Sequence, residues 1–337
     1  MNITGKRVDN ATGCWGDHLL AWSLGHPYRK YREDWEMVSR REKVTDFPLY
    51  LQLEITPRCN LKCRSCIHGY PDLSRKYADI DRVLPDDLYL KILEEASRYG
   101  CPSISFHNNC EPMLDPHLEE KIALARKAGF LDLILVTNGT LLTEERSSRL
   151  LRAGITKISF SIDAFSREGY ERLRIGSDFL KVRGNILAFL EIKRREHRVL
   201  PITRVSFVIT RENSHEVEPF REYWEDKVDK VDFQCFCAIE GYNESLAPAG
   251  SRPVHRFPCS APWQQLVIRA NGDVVPCCSF YGSEMVIGNI RETSIHDLWL
   301  QPRMVQLREA LGSFKNLSAT CVRCMKTRYE PPGPPSP

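Results

Sequence analysis

The sequence predicts an α/β fold on a parallel sheet, followed by a smaller cysteine-bearing region. Three observations predict it. Between Leu49 and Cys237 short apolar strands alternate with amphipathic helices, which requires right-handed crossovers onto one sheet, open or curled into a partial barrel. After Cys237 the alternation stops and Gly, Pro and Ser accumulate. The chain also has 13 cysteines. An odd number, with no apolar leader ahead of it, argues against a disulfide framework and for thiols that hold metal in a reducing, cytoplasmic setting.

Residues 1–46 read as a helical extension ending near Lys43, with Trp15, Trp22, Tyr28, Tyr31 and Trp35 as its packing face. Leu49, Leu51, Leu53 and Ile55 then alternate as a strand that runs into Pro57 and Cys59. Asp86 reads as the cap of a helix burying Leu88, Ile92, Leu93 and Ala96. Further strands are expected at 103–107, 131–136, 157–162, 204–210 and 231–237, and helices at 116–128, 143–153, 178–196 and 214–225. Gly129 and Gly154 stand where helices should stop. These units place one domain at 47–240. The second, 241–329, begins in a linker or long loop over 238–258, then has a strand pair around Asn271-Gly272 and one helix over 294–311. Residues 330–337, with five prolines in eight positions, read as a disordered tail.

Composition narrows the function. Hydrophobic residues at 42% and charged residues at 27% are globular proportions, and a net charge of +3 gives no field for a dedicated nucleic-acid binder. No apolar run reaches the ~18 residues of a membrane span. In sheets of this class ligands bind at the C-terminal strand ends, which here carry Cys59, residues 107–111, Thr137, Asn138, Ser161, Asp163 and Glu240.

Cys59, Cys63 and Cys66 form C-x3-C-x2-C on the loop after the first strand. Zinc would need a fourth ligand such as His68, whereas an iron–sulfur cluster on three cysteines keeps one iron open. Cys259 and Cys277, with Cys321-x2-Cys324, supply four thiolates for zinc or a closed cluster. Cys14, Cys101, Cys110, Cys235, Cys237 and Cys278 remain. Most read as small core hydrophobes. Cys235 and Cys237, two apart on one expected strand, share a face; with Cys110 they are candidate hydrogen donors to a substrate radical.

The C-x3-C-x2-C spacing after the first strand of a repeating β/α chain resembles the radical S-adenosylmethionine (SAM) enzymes. Asn109-Cys110-Glu111-Pro112 resembles the family's Gly-Gly-Glu-Pro turn, and Thr137-Asn138-Gly139-Thr140 and Ser159-Phe160-Ser161-Ile162-Asp163 resemble its third- and fourth-strand motifs. The resemblance implies a partial (β/α)6 TIM-like barrel with a 4Fe–4S cluster on Cys59, Cys63 and Cys66. It places Glu111 on the methionyl ammonium of SAM, Asn109, Thr137 and Asn138 in the same cofactor site, and Ser161, Asp163 and Arg174 along the ribose and carboxylate. Two departures stand out: Ser65 where the family carries an aromatic, and Asn109 and Cys110 in place of two glycines. The second cysteine set resembles the twitch domain, a truncated SPASM domain, and no cysteine follows Cys324, which implies one auxiliary 4Fe–4S cluster. The implied activity is oxidation of an alcohol to a ketone on a small cyclitol, aminoglycoside or sugar-like substrate, with a flavodoxin- or ferredoxin-type reductant and no nucleic-acid or membrane partner. A redox-neutral epimerase or decarboxylase, a peptide-modifying maturase, an electron carrier and a zinc-stabilised binding protein are the alternatives. Substrate identity and oligomeric state stay open.

Overall fold

The computed structural model describes residues 16–77 and 83–330. Cys14, Trp15 and residues 331–337 of the tail expected at 330–337 lie outside the described residues, whereas Glu330, its first residue, ends a strand paired at Arg252. Two helices open the chain, α1 (Asp17–Leu24) and α2 (His26–Ser39). Tyr28, Tyr31, Trp35 and Val38 recur at helical spacing and are buried with Leu49, Tyr50, Ile134 and Ile202, residues at or beside strand starts. The helices therefore close the sheet from its N-terminal end. Trp22 does not belong to this packing face: it is 76% exposed.

The repeating unit follows in order: β1 (Tyr50–Leu53), α3 (Pro71–Tyr77), α4 (Asp86–Arg98), β2 (Ser103–Ser105), α5 (Leu118–Lys127), β3 (Asp132–Thr137), α6 (Glu144–Ala153), β4 (Lys157–Ser161), α7 (Arg167–Leu173), α8 (Phe179–Arg195), β5 (Ile202–Val208), α9 (Val217–Trp224) and β6 (Lys230–Gln234). The six strands pair in sequence order, all parallel. Asp86 is the first helical residue of α4, behind an extended Pro85, and its carboxylate pairs with Lys121 at 3.0 Å instead of capping. Asp178 does cap α8, accepting from Lys181 N–H at 3.1 Å.

The rest of the chain comprises β7 (Phe236–Cys237), β8 (Arg252–Pro253), α10 (Ala261–Gln264), β9 (Gln265–Ile268), β10 (Asp273–Val275), β11 (Gly288–Asn289), α11 (Ile295–Leu300), α12 (Pro302–Ser313), α13 (Ala319–Lys326) and β12 (Arg328–Glu330). Four features depart from expectation. The Asn271-Gly272 hairpin does not stand alone, because β9 pairs in parallel with β1 and extends the sheet to the order β11-β10-β9-β1-β2-β3-β4-β5-β6. The supposed linker contributes β8 to a small sheet, β7-β12-β8. β6 ends at Gln234 while Cys237 belongs to β7 of that second sheet, so Cys235 and Cys237 do not share one strand. The helix expected over 294–311 divides at Gln301, whose φ −60° and ψ 156° are the extended geometry that the following Pro302 imposes.

Side chains alternate across the main sheet. Leu51, Ile104, Leu135, Phe160 and Phe207 face the helices in one buried cluster. The opposite face carries Gln52, Ser105, Ser159, Arg204 and Ser206, all buried, so the lumen side of the sheet is polar.

Candidate active site

Cys59, Cys63 and Cys66 lie on the loop after β1 and feel one another electrostatically. Burial pushes the Cys59 thiol up to about 11 and the Cys63 thiol up to about 12, and raises Cys66 as well. Arg174 opposes the rise at all three. Buried thiols held together beside a cation suit a metal centre, since binding metal releases their protons. Asn138 Nδ2 sits 3.9 Å from Cys59 Sγ and the Leu61 N–H donates to the same sulfur at 3.5 Å.

The loop is tied down from several sides. Lys62 and Arg64 N–H donate to the carbonyls of Ile175 and Leu173 at 2.9 and 3.0 Å. The Arg64 guanidinium reaches both carboxylate oxygens of Glu212, at 2.8 and 2.7 Å. Gly69 is required by close approach, because a Cβ there would lie 2.5 Å from the Cys63 carbonyl oxygen. His68, the zinc ligand considered from sequence, has both ring nitrogens engaged, Nε2 with the Asn109 carbonyl at 2.8 Å and Nδ1 with Ser74 Oγ at 3.2 Å. With these bonds it braces the loop against the turn after β2.

Glu111 is buried after β2, and burial raises its carboxyl above the ordinary range. Its oxygens accept from Thr137 Oγ1 and Asn138 N–H, each at 2.7 Å, and from Met113 N–H at 3.1 Å. Asn138 continues the chain, donating to Asn60 Oδ1 at 2.9 Å beside Cys59. Glu111, Thr137, Asn138 and Asn109, whose carbonyl holds His68, thus form one array with the cluster loop. The Cys110 thiol is also raised by burial and lies near Glu54, Glu111 and Cys59.

Beyond β4, Asp163 takes a left-handed φ of 62°. It meets Arg174 at 2.6 Å and accepts from Val208 N–H at 2.8 Å. Arg174 is itself near Cys63, so one guanidinium joins this strand end to the thiols. Ser161 is half-buried opposite Ser206 in the β4–β5 register. Sequence reasoning missed Asn213, which donates to the Asp163 carbonyl at 2.7 Å, and Glu216, which accepts from Ser166 N–H at 3.0 Å. Neither carries a motif signal, because each acts through backbone groups about 50 residues away.

The second cysteine set also converges. Cys259 lies within electrostatic range of Cys321 and Cys324, Cys277 of Cys259 and Cys324, and Cys321 of Cys324. Burial pushes the Cys259 thiol up to about 12. A Cβ on Gly282 would meet Cys277 Sγ at 2.5 Å, so glycine leaves room around that sulfur. Cys278, set aside as core from sequence, sits between this set and the start of β1, since it adjoins Cys277 and acts on the Tyr50 hydroxyl. Cys237 lies near Cys324 and Cys278, and Cys235 near Cys237. Among the described residues no three His, Cys, Asp or Glu side chains converge on one ion.

The Radical SAM superfamily model matches residues 53–223, and the SPASM model, an iron-sulfur cluster-binding domain, matches residues 259–325. The tungsten-containing aldehyde ferredoxin oxidoreductase cofactor-modifying protein of Pyrococcus furiosus is 26% identical over 320 residues, covering 82% of this chain and 86% of its own. The crystal structure of BtrN with AdoMet and 2-DOIA has a TM-score of 0.53 at 21% identity, over 83% of this chain and 92% of BtrN. SuiB of Streptococcus suis, bound to S-adenosylmethionine, has a TM-score of 0.64 at 18% identity, over 93% of this chain and 80% of SuiB. No helix among the described residues is long and apolar enough to cross a membrane.

Proposed function

This chain belongs to the radical SAM superfamily and carries a C-terminal SPASM domain, and from that premise we propose that it oxidises an alcohol carbon of a small sugar-like or cyclitol substrate to a ketone. Its cofactors are S-adenosylmethionine and iron–sulfur clusters, the auxiliary one in the SPASM domain. When bound, they supply a carbon-centred radical that takes a hydrogen atom from an unactivated C–H bond, while the protein supplies binding and orientation. Cys59, Cys63 and Cys66 would hold the first cluster, and three thiols leave one iron for the amino-acid end of SAM. The Glu111 carboxylate, fixed by Thr137 and Asn138, is placed to take an ammonium. Arg174, anchored by Asp163, brings positive charge to the same side of the thiols.

The observation that carries the oxidation reading is the second thiol set and its attachment. Taking an alcohol to a ketone removes one hydrogen atom, one proton and one further electron. That electron needs a nearby acceptor. Cys259, Cys277, Cys321 and Cys324 are enough to close a cluster completely. Cys259 and Cys277 flank the β9–β10 hairpin, which is hydrogen-bonded to β1. Cys278 lies beside Tyr50 at the start of β1, and Cys59 follows its end, so one strand links the two thiol sets along the lumen. A flavodoxin- or ferredoxin-type protein would supply the priming electron in the cytoplasm.

Cys321→Ala tests the role of the second set. From about eight irons per reconstituted chain, about four should remain. Deoxyadenosine should still form from SAM, while the product two mass units lighter than substrate disappears. Cys324→Ser serves where the alanine variant does not fold. A normal yield of oxidised product from a variant lacking the second cluster would overturn the reading.

A further inference from the structure

Two thiols of the second set share one neighbour. Ser279, two residues after Cys277, is extended at φ −63° and ψ 143° and precedes the turn Phe280–Glu284. A serine in that place ordinarily turns its side chain onto the N–H groups that follow. The Ser279 side chain makes no such bond; its carbonyl serves the turn, accepting from Gly282 N–H at 2.8 Å. The hydroxyl oxygen lies instead 3.3 Å from Cys324 Sγ on α13, 45 residues away. The Ser279 backbone N–H is bonded to Cys277 as well, favouring the thiolate there. Contacts on either side hold this approach. Arg323, beside Cys324, pairs with Glu284 and lies over the Tyr281 ring at 4.7 Å. Ser318, which caps α13 by accepting from Cys321 N–H at 3.1 Å, also reaches Met285 Sδ at 3.7 Å. Ser279 and Cys324 therefore face each other because the turn and α13 are packed together.

A thiol and a hydroxyl can each donate, but a thiolate that holds iron has no proton to give. With Cys324 in that state the bond has one direction, from the Ser279 hydroxyl to the sulfur. Such a bond strengthens with negative charge on its acceptor. It therefore stabilises a centre that has gained an electron more than one that has not. Hydrogen bonds to the sulfurs are among the features that set iron–sulfur potentials. Resting on the acceptor reading above, we propose that the Ser279 hydroxyl raises the reduction potential of the second cluster, making it a better sink for the electron the substrate leaves. Ser279 acts through the Cys324 sulfur, as a positioning residue.

The test is a redox titration of the reconstituted full-length chain followed by electron paramagnetic resonance. It is repeated with Cys59, Cys63 and Cys66 replaced by Ala, so that only the second signal remains. Ser279→Ala should make reduction of the second cluster about tenfold less favourable, a fall of about 59 mV for one electron, with its iron retained. Ser279→Thr keeps the hydroxyl and should recover at least half of the fall. Ser279→Val, of the same shape without the hydroxyl, should not. Where one of the two hydroxyl-free variants loses iron, the other is compared with Ser279→Thr. An unchanged midpoint in the hydroxyl-free variants, or one lowered equally in Ser279→Thr, would overturn the proposal. So would loss of the second cluster's iron from both of them, which would assign Ser279 to assembly of the site. A lowered midpoint in Ser279→Ala beside normal oxidised product from Cys321→Ala would leave the hydrogen bond standing and remove the acceptor reading. An unchanged midpoint beside loss of that product would do the reverse.

Discussion

Lys157→Met probes what holds the N-terminal helices to the barrel. Lys157 opens β4 with its side chain 0% exposed. Its Nζ meets Asp132 Oδ2 at 2.9 Å, the Tyr28 hydroxyl at 3.1 Å and Asp17 Oδ1 at 3.5 Å. Asp132 is also 0% exposed, and its other oxygen accepts from Thr156 Oγ1 at 3.0 Å. Tyr28 donates to Asp17 at 2.6 Å and Arg32 pairs with Asp17 at 2.8 Å, so α1 and α2 are joined to the strand starts through this network. Methionine fills much of the same volume but leaves Asp132 as a buried carboxylate that has lost its cation.

Breaking a buried pair from one side costs about 3–5 kcal/mol. At roughly 2 °C per kcal/mol for a chain of this size, the midpoint of thermal unfolding should fall by about 6–10 °C. The double variant Asp132→Asn/Lys157→Met removes both charges and should recover at least half of the loss, because much of the penalty is the unpaired carboxylate. SAM binding should not change, since the network lies at strand starts and the cofactor residues at strand ends. Differential scanning calorimetry of the three proteins measures both effects. A midpoint within about 2 °C of wild type for the single variant, or a double variant no better than the single, would refute the reasoning.

Glu111→Gln keeps the shape but turns one acceptor oxygen into a donor facing either Asn138 N–H or the Thr137 and Met113 donors; SAM affinity should fall by about 1.5–3 kcal/mol, or roughly 10- to 150-fold, with iron content unchanged. Wild-type SAM affinity by equilibrium dialysis would show that Glu111 has no part in holding SAM. Burial, helped by Arg204, lowers the His107 pKa from 6.5 to about 3, so the unfolded chain takes up a proton that the folded chain refuses. Stability should therefore be lost as pH falls below 6.5, by about 1.4 kcal/mol per unit down to the folded-state value. Urea unfolding at pH 6.5 and 5.5 should show that extra loss in wild type and not in His107→Phe, and equal slopes would contradict it.

The parts of the molecule legible in the sequence are those fixed by local spacing. The alternation of Leu49 to Ile55 and the three cysteines after it depend on neighbours within a few residues, and the structure places them as strand and loop. The end of α6 at Gly154 was equally readable, with φ 85° at that glycine. The pairing of β9 with β1 was not, because its partners are more than 200 residues apart and nothing in Gln265-Leu266-Val267-Ile268 names a neighbour. The break before Pro302 did have a local signal, which the apolar spacing of Leu298, Leu307 and Leu311 obscured. Lys157 and Arg204 were invisible for a different reason. A charged residue in a strand reads as solvent-facing until another element supplies its counter-ion, and Asp132, Asp17 and Asp232 come from three separate places in the chain.

The C-terminal cysteine unit is part of the barrel's own framework. Leu266 and Ile268 of β9 are 0% exposed in the main core, and β9 covers the edge of β1 that β2 leaves open. Trp299 Nε1 donates to the Thr45 carbonyl at 2.7 Å, and His296 stacks on Tyr99, which stacks on Phe47, with ring centroids 4.5 and 5.0 Å apart. Lys91 on α4 reaches the Ile290 carbonyl at 2.5 Å. Deleting the unit would strip three strands from the sheet and expose apolar surface at β1, the strand that leads to Cys59. Loss of turnover in such a truncation would report a damaged barrel and say nothing about the second cluster. Single-thiol variants on α13 avoid this, because Cys321 and Cys324 lie outside the nine-stranded sheet. The same attachment bears on how the two thiol sets are joined: the hairpin between Cys259 and Cys277 is hydrogen-bonded to β1, and Cys59 follows the end of that strand, so a substitution that loosens β9 disturbs both sets at once.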